Sequence, residues 1–198
     1  MRSKLKDKRV LLLVSTDVTY DQRVYRTARS LSDLGAEVTL IGRKLPDSSP
    51  VEWPGIRVER VSLSVQSGPS MYILMNQKMI VQAAAVHRWD IVVSNDFDTL
   101  LAGYRISRKN KSAWILDAHE HFIEVPELKG REIKRSLWHA LGLWAAPRLD
   151  AAYTVSESLG RILSGTYKIP FSIIENRPLY RSMKTTSKTI PKLLFYQG

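Results

Sequence analysis

The sequence predicts an α/β fold, a Rossmann-like parallel sheet of about seven strands with helices on both faces. Short apolar segments alternate with amphipathic segments of helical length, which is the pattern of a parallel sheet with crossover helices. The first apolar segment, residues 9–15, is continuous, as expected for a strand covered on both faces. A length of 198 residues, of which 44% are apolar, suits one domain with a sizeable core. The right-handed crossover rule then leaves few topologies, and for a Rossmann-like domain we expect the strand order 3-2-1-4-5-6-7.

The first half of the chain gives three strands and three helices after the strand at residues 9–15. Asp21 is a suitable N-cap for a helix over residues 22–34, and Gly35 is placed to end it. A Pro-rich loop, residues 46–54, separates the next two strands. The predicted elements are the strands 37–41 and 56–61, the helix 71–87, the strand 91–94 and the helix 99–109.

The second half continues the alternation and then changes character. The predicted elements are the strand 113–117, the helix 132–146, the strand 151–155, a helix capped by Ser156 and ending near Gly165, and the strand 171–174. Residues 181–192 are basic and Ser/Thr-rich and predict a linker. We therefore expect one Rossmann-like domain over residues 1–180 and the truncated start of a second domain at residues 193–198.

Charge and composition limit the classes of function. The formal net charge is +11, which favours an anionic partner such as nucleic acid, a phosphorylated ligand or an acidic membrane face. The absence of cysteine excludes disulfide scaffolds, thiolate metal sites and cysteine nucleophiles. No apolar run approaches the ~18–20 residues of a membrane span. The N-terminus lacks a small-residue cleavage site, so we expect a first strand, no signal peptide and a cytoplasmic protein.

Acidic and amide side chains follow three of the predicted strands. They are Asp17 and Asp21 after the first strand, Asn95, Asp96 and Asp98 after the fourth, and Asp117, Glu120 and Glu124 after the fifth, beside His119 and His121. Ligands of open α/β sheets bind beyond these strand ends. Carboxylates accept hydrogen bonds from hydroxyl groups, so a sugar or a cation fits this edge better than a nucleic-acid backbone. The simpler alternative is that Asp21 and Asp98 only cap helices.

Several common catalytic sites are not indicated. The first turn, STDVTYDQ, has neither a dinucleotide-binding nor a P-loop glycine pattern, and no GxSxG is present. His119 and His121 do not share a helix face and have no obvious third ligand, so no metal site is expected. Arg131, Lys134 and Arg135 precede Trp138 and Trp144 on one predicted helix, which is typical either of a membrane-surface helix or of core packing.

Four segments, in this order, resemble the N-terminal domain of family 4 glycosyltransferases with the GT-B fold. They are YDQRVYRTARSLSDLGAEVTLI (20–41), DIVVSNDFDTLLAG (90–103), ILDAHEHF (115–122) and LDAAYTVSESLGRIL with IIENRPLY (within 149–180). LLFYQG (193–198) resembles the start of the C-terminal domain of that family. Many members carry paired glycines in the first loop, and this chain departs from them there.

The resemblance implies the acceptor-binding half of a retaining, metal-independent glycosyltransferase, whose other half binds the nucleotide-sugar donor. His119 would lie near the transferred sugar, and Asp21 and Arg23 would lie near the cleft. The full expected acceptor-binding set is Asp17, Asp21, Arg23, Asn95, Asp96, Asp98 and Glu120. The implied acceptor is a glycan or lipid-linked sugar in cell-surface polysaccharide or glycoconjugate synthesis, at an anionic membrane, with no cofactor and no nucleic acid.

This half alone is expected to be inactive. Two alternatives stay open from the sequence. One is half of a sugar-nucleotide epimerase, and the other is a non-catalytic module that docks to membranes or partners through its basic surface.

Overall fold

The computed structural model describes residues 5–19, 21–86, 88–124 and 130–177. Its seven strands form one sheet in the order β3-β2-β1-β4-β5-β6-β7, and every neighbouring pair is parallel. The expected α/β class and strand order are thereby confirmed. The strands are β1 (Arg9–Asp17), β2 (Glu37–Lys44), β3 (Ile56–Ser62), β4 (Ile91–Asn95), β5 (Ala113–Ala118), β6 (Ala151–Thr154) and β7 (Ser172–Ile173).

Five helices cover the two faces of the sheet unequally. They are α1 (Gln22–Asp33), α2 (Pro69–Ala83), α3 (Leu100–Asn110), α4 (Glu132–Ala145) and α5 (Glu157–Tyr167). Helix α1 packs Val24 and Ala28 on one face, and the other four helices pack on the opposite face. Short 3-10 turns at Phe97–Thr99 and Phe122–Glu124 follow β4 and β5. The residues after these two strands are therefore held close to the sheet.

Two helix ends differ from the expected positions. Helix α2 begins at Pro69, a residue suited to the first turn because its missing N–H has no partner there, and it ends at Ala83. Helix α5 runs past Gly165 to Tyr167, and the chain turns at Lys168, whose φ is +59°. The predicted linker 181–192 and the segment 193–198 lie outside the described residues, as does His87 at the predicted end of α2.

Asn76 of α2 is a buried amide that holds the segment after β4 in place. Its Nδ2 donates hydrogen bonds to the carbonyl oxygens of Asp98 at 2.7 Å and Tyr72 at 2.8 Å. Its Oδ1 accepts a hydrogen bond from the Ala102 amide at 2.8 Å. Buried polar groups are costly unless paired, and here the bonds with Asp98 and Ala102 join α2 to the turn after β4 and to α3. The polar segment at the end of β4 therefore rests on a rigid support.

A test of this packing is the substitution Gly103→Ala in α3. A Cβ there would lie 2.5 Å from Trp114 Nε1 and even closer to Ser94 Oγ, two atoms that hydrogen-bond to each other at 3.0 Å. We expect a loss of about 1–3 kcal/mol in the free energy of unfolding, as is usual for overpacking. Urea denaturation followed by circular dichroism measures it.

The matched control is Gly165→Ala in α5, where a Cβ would meet nothing within 4 Å. Alanine is the better helix former by up to about 1 kcal/mol, so this variant should be as stable as the parent or more stable. Equal denaturation midpoints for the Gly103→Ala variant and the parent would contradict the packing described here.

Candidate functional site

The imidazole of His119 lies between two carboxylates at the carboxyl ends of β4 and β5. Its Nε2 is 2.7 Å from Asp96 Oδ2, and its Nδ1 is 3.4 Å from Asp117 Oδ1. The His119 backbone amide also donates a hydrogen bond to Asp96 Oδ1 at 3.3 Å. Only 7% of the His119 side chain is exposed. Both ring nitrogens are thus occupied by groups of the protein itself.

Asp96 has a backbone conformation that is rare for any residue with a side chain. Its φ is 62° and its ψ is 174°, a region populated almost only by glycine. Such a conformation costs on the order of 1–3 kcal/mol and persists where the surroundings over-determine it. Here the Asp96 amide donates a hydrogen bond to the Asp117 carbonyl at 2.8 Å. The backbone amide and the ring Nε2 of His119 each contact one carboxylate oxygen of Asp96. Asp96 is therefore held in one strained geometry by its contacts with His119 and Asp117.

Asp98 is a buried carboxyl group close to the same imidazole. Burial and the nearby Asp96 charge raise its pKa to about 7, while a hydrogen bond from Ser15 and the charge of His119 act in the opposite direction. Its side chain is not a helix cap, so the simpler interpretation of Asp98 is wrong. Within the described part of the chain, Asp98 Oδ1 and Asn95 Oδ1 are buried without a hydrogen-bond partner.

The charge of His119 follows from its two acidic neighbours. Burial by itself disfavours the charged ring, but the hydrogen bonds with Asp117 and Asp96 and their negative charges outweigh it. Together these effects raise the pKa of His119 to about 10. The ring is therefore an imidazolium at neutral pH.

Asp117 has a second partner on the next strand. Tyr153 of β6 lies opposite Asp117 in the β5–β6 register and shares a hydrogen bond with it. Burial, then the Asp117 charge and this hydrogen bond, raise the pKa of Tyr153, while a hydrogen bond with Thr27 of α1 opposes the rise. The sequence predicted Asp117 at this edge but outside the acceptor-binding set, and it predicted neither Tyr153 nor Thr27 there. The neighbouring positions of β5 and β6 were predictable, but their residue-by-residue register was not.

Asp17 belongs to a different cluster, at the end of β1 on the side of β2 and β3. It accepts hydrogen bonds from Ser48 Oγ, from Thr19 Oγ1 at 2.6 Å and from the Thr19 amide at 3.0 Å, and Arg60 lies 3.7 Å away. Burial opposes ionisation, but these hydrogen bonds and the arginine lower the pKa of Asp17. Asp17 is thus held as a carboxylate.

The remaining predicted residues are at the surrounding surface. Asp21 caps α1, because its Oδ1 accepts a hydrogen bond from the Val24 amide at 3.1 Å, and its Oδ2 accepts one from Thr16 at 3.2 Å. Arg23 is half-buried in the first turn of α1, and Glu120 is exposed directly after His119. The structure therefore joins Asp96, Asp98 and His119, with Asn95 beside them.

The tryptophans of α4 face inward. Trp138 meets the rings of Tyr72 and Phe122 edge-on, each with centroids 5.0 Å away, and Trp144 meets Tyr104 at 4.8 Å. Both are half-buried, and these ring contacts favour the core-packing interpretation of the two tryptophans. The exposed apolar side chains near its start are Ile133 and Leu137, at 79% and 65% exposure.

The described residues contain neither a membrane-spanning helix nor a metal-binding cluster. No helix in the described ranges has the length and apolar character needed to cross a membrane. Among the same residues, no group of three or more histidine, aspartate or glutamate side chains is arranged to hold a metal ion.

Residues 19–173 match the family model described as "Glycosyl transferase 4-like domain". The chain belongs to this family. No curated protein is significantly similar to the sequence.

Solved structures share the fold of this glycosyl transferase 4-like domain at low sequence identity. Sucrose-phosphate synthase from Thermosynechococcus elongatus matches with a TM-score of 0.65 and 16% identity over 85% of this chain and 48% of that one. The glycotransferase of kitacinnamycin matches with a TM-score of 0.56 and 9% identity over 93% of this chain and 55% of that one. The lipopolysaccharide outer core galactosyltransferase WaaB matches with a TM-score of 0.53 and 9% identity over 85% of this chain and 45% of that one. The chain spans about half the length of these proteins, and its sheet is the Rossmann-like half of a GT-B fold.

The charges at the site predict how the stability of the domain depends on pH. His119 binds its proton more tightly in the folded chain, with a pKa of about 10 against an ordinary 6.5, so stability falls as pH rises from 6.5 to 10. Asp98, with a pKa of about 7 against 3.8, lowers stability as pH rises between those values. Each unit by which folded and unfolded pKa values differ is worth about 1.4 kcal/mol.

Urea denaturation at pH 5, 7 and 9 measures this dependence. We expect the parent chain to lose stability at each step. The His119→Gln variant should flatten the fall between pH 7 and 9, and the Asp98→Asn variant the fall between pH 5 and 7. A parent chain that is equally stable or more stable at pH 9 than at pH 7 would rule out a buried imidazolium.

Proposed function

We propose that this chain is the acceptor-binding half of a retaining, metal-independent glycosyltransferase. The reaction transfers a sugar from a nucleotide-sugar donor to a glycan or lipid-linked acceptor in cell-surface polysaccharide or glycoconjugate synthesis. Membership of the glycosyl transferase 4-like family supports the reaction class. The coverage of about half of each solved glycosyltransferase supports the division into two halves. WaaB, a lipopolysaccharide outer core galactosyltransferase, is a structural neighbour.

The observation that carries the acceptor assignment is the charge balance at the ends of β4 and β5. Three carboxyl groups, Asp96, Asp98 and Asp117, surround one imidazole. A diphosphate is repelled by such a group, whereas a sugar hydroxyl donates hydrogen bonds to it. The unpartnered oxygens of Asn95 and Asp98 are further acceptors for such hydroxyls. This edge therefore suits the acceptor, and the donor diphosphate belongs to the other half.

In this proposal the site holds the acceptor hydroxyl in a fixed position near the anomeric carbon of the donor. Positioning of this kind supplies up to ~7–11 kcal/mol of the barrier reduction. His119 is the central residue, because its charge orders the carboxylate of Asp96. Asp17, Asp21, Arg23 and Glu120 would line the outer part of the acceptor cleft.

We further propose that α4 rests on the cytoplasmic face of an anionic membrane, where a lipid-linked acceptor is found. Ile133 and Leu137 expose apolar surface near the start of the helix, beside the basic residues Arg131, Lys134 and Arg135. Apolar side chains flanked by basic residues bind the interface of acidic bilayers. The sequence left Trp138 and Trp144 of the same helix open between a membrane surface and the core, and in this proposal they pack inward.

The acceptor assignment predicts the effect of Asp96→Asn. Loss of the charge should weaken acceptor binding by about tenfold or more, since hydrogen bonds to charged groups are worth about 1.5–3 kcal/mol. Calorimetric titration of the chain with lipid-linked and glycan acceptors measures it. The control is Asp33→Asn, which removes an exposed carboxylate of α1 whose only described role is an ion pair with Arg29.

The same titrations with nucleotide sugars test the division into halves. We expect no tight nucleotide binding and no sugar transfer by the chain alone. Tight binding or turnover would mean that this chain carries the donor site, and the acceptor assignment would be abandoned.

The membrane assignment predicts the behaviour of the double variant Ile133→Ser, Leu137→Ser. It should sediment less than the parent with vesicles containing phosphatidylserine, and added salt should weaken binding of the parent. The control is Leu34→Ser, which removes an apolar side chain of 47% exposure after α1, on the opposite face of the sheet. Equal sedimentation of the parent with neutral and anionic vesicles would refute the assignment.

A further inference from the structure

A line of polar contacts crosses the ends of three adjacent strands. It runs from Tyr153 on β6 to Asp117 on β5, from Asp117 to the ring of His119, and from that ring to Asp96 after β4. Thr27 of α1 holds the far end through the Tyr153 hydroxyl. The acceptor contact proposed above is made by Asp96, at one end of this line. No ligand contact is assigned to Tyr153 and Asp117, at the other end.

We propose that Asp117 is a positioning residue, which acts through the His119 imidazole on the carboxylate of Asp96, with Tyr153 fixing Asp117 from the neighbouring strand. The assignment of Asp96 to the acceptor rests on the function proposed above. The arrangement of the three groups is a property of the chain alone.

The chemistry of imidazole carries this inference. A neutral ring has one N–H and one bare nitrogen, so it donates to only one carboxylate and repels a second. His119 has a carboxylate oxygen at each nitrogen, 2.7 Å away for Asp96 and 3.4 Å away for Asp117. Both contacts are favourable only when the ring carries two protons. Asp117 thus keeps His119 charged, and the charged ring keeps the carboxylate of Asp96 oriented.

Asp117 itself is poorly placed to touch a ligand. It lies within β5, its side chain is 10% exposed, and His119 and Tyr153 both hydrogen-bond to it. Asp96 lies beyond the end of β4, in the strained conformation described above. The two acids at the ring therefore have different roles, one on the ligand side and one on the protein side.

The charged and titratable groups around the ring come from every strand end that surrounds it. They are Asp96 and Asp98 from the segment after β4, Asp117 from β5 and Tyr153 from β6. All four are acids, so each either favours the charged ring or stays neutral beside it. Removal of Asp117 leaves a ring that loses its second proton nearer to neutral pH.

Long-range ¹H–¹⁵N correlation spectra of the ring nitrogens, recorded from pH 5 to pH 10 without ligand, test the proposal. In the parent chain His119 should keep both ring protons above pH 8. In the Asp117→Asn variant the midpoint should fall by at least about one pH unit, a tenfold loss of proton affinity. Asp90→Asn makes the same substitution at the opposite end of β4 and should leave the midpoint unchanged.

Tyr153→Phe separates charge from packing. It removes the hydroxyl but leaves the Asp117 charge, so the His119 midpoint should stay within about half a pH unit of the parent value. An equal fall in the Tyr153→Phe and Asp117→Asn variants would show that the ring responds to loosened packing, and would overturn the proposal. If the Asp117→Asn variant does not fold, the spectra of the parent chain provide the test. A neutral His119 ring in the parent at pH 8 would also overturn the proposal.

Acceptor titrations add the functional readout. Asp117→Asn should weaken acceptor binding progressively as pH rises above the new midpoint, and Asp96→Asn should weaken it at every pH. An Asp117→Asn variant with the same pH profile as the parent overturns the positioning role. If the ring titrates as expected but no acceptor binds to the parent, the proposed function fails while the charged ring stands.

Discussion

The two hydrogen bonds of the His119 ring tie the carboxyl ends of β4 and β5 together. A buried ion is costly unless it is paired and hydrogen-bonded, and the imidazolium meets this condition with Asp96 and Asp117. One cation neutralises two carboxylates only partly. The third acid, Asp98, has its pKa raised to about 7, first by burial and then by the charge of Asp96.

This arrangement depends on supports that lie outside it. Asp96 adopts a conformation suited to glycine, and its own hydrogen bonds to His119 and Asp117 hold it there. From behind, Asn76 fastens the following 3-10 turn to α2 and α3 through buried hydrogen bonds. A strained residue between two rigid attachments is kept in one geometry, as a site that positions a reacting group requires.

The sequence predicts the sheet far better than the site. Apolar runs and the right-handed crossover rule gave the strand order, because both express constraints that act on whole segments. The same order explains why Asp96 and His119 were expected on one edge. Tyr153 was not expected, because its contact depends on residue register between β5 and β6 and on a rotamer, which no periodic pattern encodes. Helix α5 ends two residues beyond Gly165, because Lys168 takes the left-handed conformation that turns the chain.

The acceptor site and the proposed membrane surface are connected by aromatic side chains. Phe97, in the turn that follows Asp96, stacks on Phe122 at 5.8 Å, and Phe122 meets Trp138 of α4 edge-on at 5.0 Å. Arg135 of α4 also pairs with Glu124 of the same 3-10 turn as Phe122. The inward tryptophan therefore anchors α4 to the turns that carry the site, which leaves Ile133 and Leu137 free to face lipid. For a lipid-linked acceptor, this anchorage fixes the position of the site relative to the bilayer from which the acceptor comes.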